Sequence, residues 1–148
     1  MDRRLVSQLI IVAMAAVLQS LSWFSLGGIK INLAFIVLLA FAFLIRDWRW
    51  YLLLVMGSAL ILRVGDNWDW LVVGVIAIPL LVYLTKKFLP WQSLISYLIF
   101  VALATAGFYG LIDWRFAFDN PLIFFQELVY NLLFGGLVYM ILARFYSR

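Results

Sequence analysis

Cysteine and histidine are both absent from the sequence, and charged residues make up only 12% of its 148 positions. The missing residue types exclude disulfides, thiolate nucleophiles, imidazole bases and the usual nitrogen or sulfur ligands of zinc, haem and iron-sulfur clusters. The chain also carries no P-loop and no G-x-S-x-G motif. We therefore predict that it is not an enzyme, and that it has no catalytic residues, no cofactor and no metal site.

Hydrophobic residues are correspondingly abundant, at 68% of the chain. A soluble domain is roughly half apolar and about a quarter charged, so this chain has too few charged residues to cover its surface in water. The 11 basic residues are scattered in ones and twos between apolar stretches, a distribution that does not indicate nucleic-acid binding. The composition predicts that the lipid bilayer covers most of the surface.

The apolar stretches predict an all-α integral membrane protein with six transmembrane helices in a single domain, residues 1–148. A helix needs about 20 apolar residues to cross the bilayer. The six segments are 5–26, 29–45, 48–62, 68–85, 91–112 and 122–143. The third is the shortest, since ~15 residues rise only ~22 Å. A re-entrant hairpin formed by the second and third segments is the alternative.

Charge and tryptophan positions predict the orientation of these segments. With a cytoplasmic N-terminus, eight basic residues fall on the cytoplasmic side and three on the opposite side, as expected where short cytoplasmic loops carry excess Lys and Arg. All seven tryptophans fall at predicted span ends, where an indole ring is half buried and its N–H is wet. We predict that both termini face the cytoplasm.

Polar residues inside the last span form the strongest candidate site. Glu127 and Asn131 are four residues apart and share a helical face, and Arg63 closes the third span at a similar depth. We hypothesise that Glu127 and Arg63 meet, because each would offset the desolvation of the other. The pair would either bind a ligand or a partner, or serve only as a structural contact that holds helices together; we favour the structural contact.

Two further groups of residues complete the candidates. Gln19 and Asn32 lie toward the outer face, where they would line a pocket; alternatively Asn32 caps the start of a helix, which we favour. Small residues predict close helix packing, either within the chain or with a partner. They are Ala102, Ala106, Gly110, Gly135 and Gly136.

Three stretches of the sequence carry a resemblance to a known family. They are Leu18-Gln19 at the end of the first span, the run Ile31-Asn32-Leu33-Ala34-Phe35 and its continuation to Leu39, and Glu127-Leu128-Val129-Tyr130-Asn131 with the basic tail that follows the last span. In this order they resemble the MreD family of bacterial rod-shape-determining membrane proteins. Two positions differ: Ile31 stands where that family commonly has proline, and Arg63 lies near an expected aspartate.

The resemblance implies a non-enzymatic scaffold of the machinery that elongates the cell wall and maintains cell shape. It implies a place in the bacterial cytoplasmic (inner) membrane, beside an MreC-like single-span scaffold and other elongation proteins. The family is also similar to the six-helix substrate-binding subunits of energy-coupling-factor transporters. A small-molecule-binding transporter subunit is therefore the alternative function.

Overall fold

The computed structural model describes residues 3–21, 25–26, 29–30, 32–63, 70–88, 94–112 and 114–146. Within these ranges the fold is all-helical apart from one short antiparallel ladder. The elements are, in chain order, α1 Arg3–Ser20, β1 Ser25–Leu26, β2 Ile29–Lys30, α2 Leu33–Leu44, α3 Trp48–Arg63, α4 Trp70–Thr85, a 3-10 turn Lys86–Phe88, α5 Leu94–Ile112, α6 Trp114–Asp119 and α7 Pro121–Tyr146.

Three of these helices are long and apolar enough to cross a membrane: α1, α5 over Leu94–Leu111, and α7. Helices α2, α3 and α4 are apolar but shorter. The prediction of an apolar helical membrane protein is confirmed as far as the length and composition of these helices are concerned.

Helix α2 lies at the centre of the bundle. It packs against α1, α3, α4, α5 and α7, and every residue from Ala34 to Phe43 is buried. The helix is apolar on all sides, which suits both protein and lipid surroundings, and its packing against five helices shows that protein surrounds it. Tyrosine hydroxyls from two neighbouring helices also reach its backbone: Tyr51 contacts the Leu38 carbonyl at 3.1 Å and Tyr97 the Ile36 carbonyl at 3.2 Å.

The central position explains why the shortest helix among the six predicted spans is the second and not, as predicted, the third. Helix α2 has 12 residues and rises about 18 Å, whereas α3 has 16 residues. A helix surrounded by protein is not required to match the thickness of the hydrocarbon, because neighbouring helices and their side chains supply hydrogen-bond partners for the backbone groups at its ends.

Several helix boundaries differ from the predicted ones. The first predicted span continues to residue 26, but α1 ends at Ser20; the second begins at residue 29, but α2 begins at Leu33; and α7 ends at Tyr146, beyond the predicted residue 143. The ladder before α2 pairs Ser25 with Lys30 and Leu26 with Ile29. Backbone pairing between strands satisfies the amide groups there, so an apolar sequence does not have to stay helical. In addition, α6 is a six-residue helix in a stretch that the sequence predicts as a loop.

Candidate functional site

Four of the predicted polar candidates lie together where α2 begins. Gln19 comes from the last turn of α1, Asn32 immediately precedes α2, and Glu127 and Asn131 come from α7. Gln19 is 5% exposed, Glu127 6% and Asn131 0%, and Asn32 is half-buried. The burial strongly favours hydrogen bonding, because an unpaired polar group away from water costs about 1 to 3 kcal/mol.

A directed chain of hydrogen bonds connects three of these residues. The Ala34 backbone N–H donates to Gln19 Oε1 at 2.8 Å, Gln19 Nε2 donates to Asn32 Oδ1 at 3.2 Å, and Asn32 Nδ2 donates to Glu127 Oε1 at 2.7 Å. The chain joins a backbone group at the start of α2 to a carboxyl group on α7. Chains of this kind polarise one another, so each bond strengthens its neighbours.

Helix α5 supplies two members of the network that the sequence analysis missed. The Tyr109 hydroxyl donates to Glu127 Oε2, and Asn131 Nδ2 donates to Thr105 Oγ1 at 3.2 Å. A signal for both is present in the sequence: residues 105 and 109 are four apart, as are residues 127 and 131. Two antiparallel neighbouring helices bring such pairs face to face, each residue opposite one partner.

Asn32 does not act as the predicted helix cap. It occupies the N-cap position of α2, but its side chain makes no capping hydrogen bond. Gln19 caps α2 instead, because its Oε1 accepts a hydrogen bond from the Ala34 N–H. Because Asn32 Nδ2 is committed to Glu127, this amide links α1 to α7 across the start of α2.

The opposite end of α2 is capped by a cation. Lys86 Nζ donates to the carbonyl of Ile45 at 2.7 Å and to the carbonyl of Ala42, and it lies 4.0 Å from the centroid of the Tyr83 ring. Burial lowers the pKa of the Lys86 amine to about 8. The Lys86 amine at the C-terminus, when protonated, complements the dipole of α2.

The predicted meeting of Arg63 and Glu127 lies outside the described residues, because the Arg63 side chain is not among them. Within the described part of the chain, both carboxyl oxygens of Glu127 accept hydrogen bonds from neutral groups. Glu127 is therefore held in place by Asn32 and Tyr109.

The predicted small packing residues fall into two groups. Gly135 and Gly136 are buried in α7: a Cβ at Gly135 would lie 3.1 Å from the Tyr97 hydroxyl, and one at Gly136 would lie 3.6 Å from Leu98 Cδ2. These glycines set the approach of α7 to α5. In α5, by contrast, Ala102 is half-buried, Ala106 and Gly110 are exposed, and a Cβ at Gly110 would meet nothing within 4 Å.

The geometry favours a structural role for the network. Three of the clefts formed by the described residues lie elsewhere, and none of these three is lined by Gln19, Asn32, Glu127 or Asn131. The polar groups are instead satisfied by one another, except Asn131 Oδ1, which has no hydrogen-bond partner among the described residues. The network ties α1, α2, α5 and α7 into one unit.

Comparisons with protein-family models, with curated proteins and with solved structures give no match. The fold and the site are therefore described from this chain alone. What they define is an all-helical bundle with a buried polar network and helices suited to a membrane.

Proposed function

We propose that this protein is a non-enzymatic integral membrane scaffold of the bacterial cell-wall elongation machinery, similar to MreD. In this proposal six helices cross the cytoplasmic membrane, both termini lie in the cytoplasm, and an MreC-like single-span protein is a partner. The proposal combines the resemblance in sequence with the geometry of the polar network.

One observation carries the choice between the two functions. A transporter subunit that binds a small molecule needs polar groups that converge on an open pocket. In this chain the polar side chains at the start of α2 bond to each other, with Asn32 and Tyr109 occupying both oxygens of Glu127. Such a network favours a rigid bundle that offers its helix faces to other proteins.

The exposed faces are suited to that role. Helix α5 presents Ala106 and Gly110 on its surface, where small side chains allow a second helix to approach closely. We include this face in the proposed scaffold surface for a single-span partner.

Depletion of the protein in its source bacterium tests the proposal. We expect rod-shaped cells to widen and round up, with loss of labelled peptidoglycan precursor incorporation along the side wall, and expression of the wild-type chain to restore both. Unchanged cell width after complete depletion would contradict the scaffold function. Rescue of growth by a vitamin mixture without the protein would favour the transporter subunit.

A matched pair of variants locates the partner surface. Gly110→Leu places a bulky side chain on the exposed face of α5, and Leu60→Phe changes an exposed, already bulky position of α3. We expect Gly110→Leu to fail in complementation and in crosslinking to the MreC-like protein, and Leu60→Phe to succeed in both. Equal behaviour of the two variants would exclude the Gly110 face as the contact.

A further inference from the structure

A cleft with basic and apolar parts lies between the start of α1 and the end of α7. Its volume is about 460 Å³. Arg3 and Arg4 line one part, and the hydroxyl oxygens of Ser7 and Tyr146 lie there 2.6 Å apart. Apolar side chains, including Ile11 and Phe145, line the rest.

A second cleft of about 380 Å³ adjoins the first, and Arg4 and Tyr146 line both. It adds Arg46 and Arg49. Its one acidic residue, Asp47, uses Oδ1 to accept the Arg49 backbone N–H at 2.9 Å, at the start of α3. The charged side chains that line the two clefts are therefore mostly basic, with four arginines and one aspartate, and most of the other lining residues are apolar.

We infer that these adjoining clefts bind an anionic glycerophospholipid. A guanidinium group offers paired N–H donors that match the oxygens of a phosphate, and basic pockets between membrane helices bind anionic headgroups. The apolar part of the cleft matches an acyl chain, which distinguishes this ligand from an acidic peptide or a soluble phosphate. The site lies at the ends of α1 and α7, where headgroups meet a helix that spans the bilayer.

The inference requires that α1 and α7 lie in a bilayer, but it does not depend on the scaffold function. A failure of the cell-shape experiment would leave the lipid measurement interpretable. Conversely, a protein without a lipid site still serves as a scaffold.

Native mass spectrometry of the full-length protein in mild detergent tests the site. The probes are phosphatidylglycerol and phosphatidylethanolamine with identical acyl chains. We expect phosphatidylglycerol to be retained preferentially, and Arg4→Gln to reduce its affinity about fivefold, the effect of one charge near a membrane surface. The control is Arg144→Gln, which removes an exposed charge from the last turn of the same α7 but lines neither cleft.

Three results would overturn the inference. Equal losses for Arg4→Gln and Arg144→Gln would show a general effect of charge, and equal retention of both lipids would show no headgroup recognition. Displacement of phosphatidylglycerol by glycerol phosphate at equal concentration would show that the apolar part binds nothing. If Arg4→Gln does not fold, the double variant Arg46→Gln/Arg49→Gln in the second cleft carries the same expectation.

Discussion

Asn32 donates a hydrogen bond of 2.7 Å from Nδ2 to Oε1 of Glu127, although 95 residues separate them in the chain. This bond joins the start of α2 to α7, and through Gln19 it also reaches the end of α1. Its physical basis is that Glu127 is buried and Asn32 half-buried, so each supplies a hydrogen-bond partner that the other would otherwise lack. The bond therefore fixes how three helices meet.

The Asn32–Glu127 bond predicts a measurable coupling between the two positions. Glu127→Leu leaves the Asn32 amide and the Tyr109 hydroxyl without their acceptor, so we expect it to lower the free energy of unfolding by about 1 to 3 kcal/mol. Asn32→Ala should cost much less in the Glu127→Leu background than in the wild type. A double-mutant cycle from SDS-induced unfolding in mild detergent measures the coupling.

Glu127→Gln is the control for this cycle. An amide at residue 127 still accepts from Asn32 through its oxygen, while its nitrogen donates to the Tyr109 hydroxyl. We expect a cost below about 1 kcal/mol, the range of a single interhelical hydrogen bond in membranes. A loss as large as that of Glu127→Leu would show that the charge is required, as in the predicted pairing with Arg63.

Because α7 packs closely against α5 at Gly135, we expect that one added methyl group there lowers the free energy of unfolding. In Gly135→Ala the new Cβ would lie 3.1 Å from the Tyr97 hydroxyl, and Tyr97 cannot easily withdraw because it is buried and stacked on Tyr139 at 4.6 Å between ring centroids. We expect a loss of about 1 to 3 kcal/mol. Thermal unfolding in detergent measures it.

Two comparisons separate this contact from the intrinsic preference of alanine for helices. Gly110→Ala, where a Cβ meets nothing within 4 Å, should be neutral or stabilising by up to about 1 kcal/mol. Adding Tyr97→Phe to Gly135→Ala removes the oxygen that crowds the methyl group, so the double variant should lose less than the two single losses together. Strict additivity would refute the steric explanation.

Lys86 predicts a specific pH dependence. Burial lowers the pKa of its amine from 10.5 to about 8, so the folded protein binds fewer protons than the unfolded chain between these values. The free energy of unfolding attributable to Lys86 should therefore rise as the pH increases through this window. Lys86→Arg, which stays charged throughout, is the reference whose pH profile is subtracted.

The same amine should be unusually reactive. Only the deprotonated form attacks an acylating reagent, so modification of Lys86 should reach half its maximum rate near the lowered pKa of about 8. Lys30 and Lys87 are the other lysines of the chain, and peptide mass spectrometry after brief acetylation distinguishes all three. A midpoint for Lys86 near 10.5 would contradict the burial of its amine.

The predicted topology is tested by reporter fusions. Green fluorescent protein fused after residue 148 should fluoresce and alkaline phosphatase fused there should be inactive, because the distribution of basic residues predicts a cytoplasmic C-terminus. Fusions after residue 66, in the loop between the third and fourth predicted spans, should give the reverse pattern. An active phosphatase at the C-terminus would refute the six-span orientation.

Much of the helical framework follows from the sequence because hydropathy is a local property. The apolar stretches predicted α5 and α7 closely, and proline at residue 121 marks the first residue of α7. The first predicted span runs past the end of α1 because most residues from 21 to 26 are apolar, although Ser25 and Leu26 belong to the ladder. Hydropathy indicates that a segment is removed from water, but it does not distinguish a helix from a strand that pairs with another strand.

The candidate site, like the helices, was only partly predictable from the sequence. The sequence alone predicts that Glu127 and Asn131 share a face of the last helix and need partners away from water, because a four-residue spacing brings two residues onto the same face of any α-helix. It does not predict that Asn32 and Tyr109 are partners of Glu127, that Gln19 caps α2, or that Lys86 donates to the other end of α2. Those contacts come from the tertiary fold: they depend on which helices are neighbours, and that order results from the packing of the whole bundle around the short α2, whose residues from Ala34 to Phe43 are all buried.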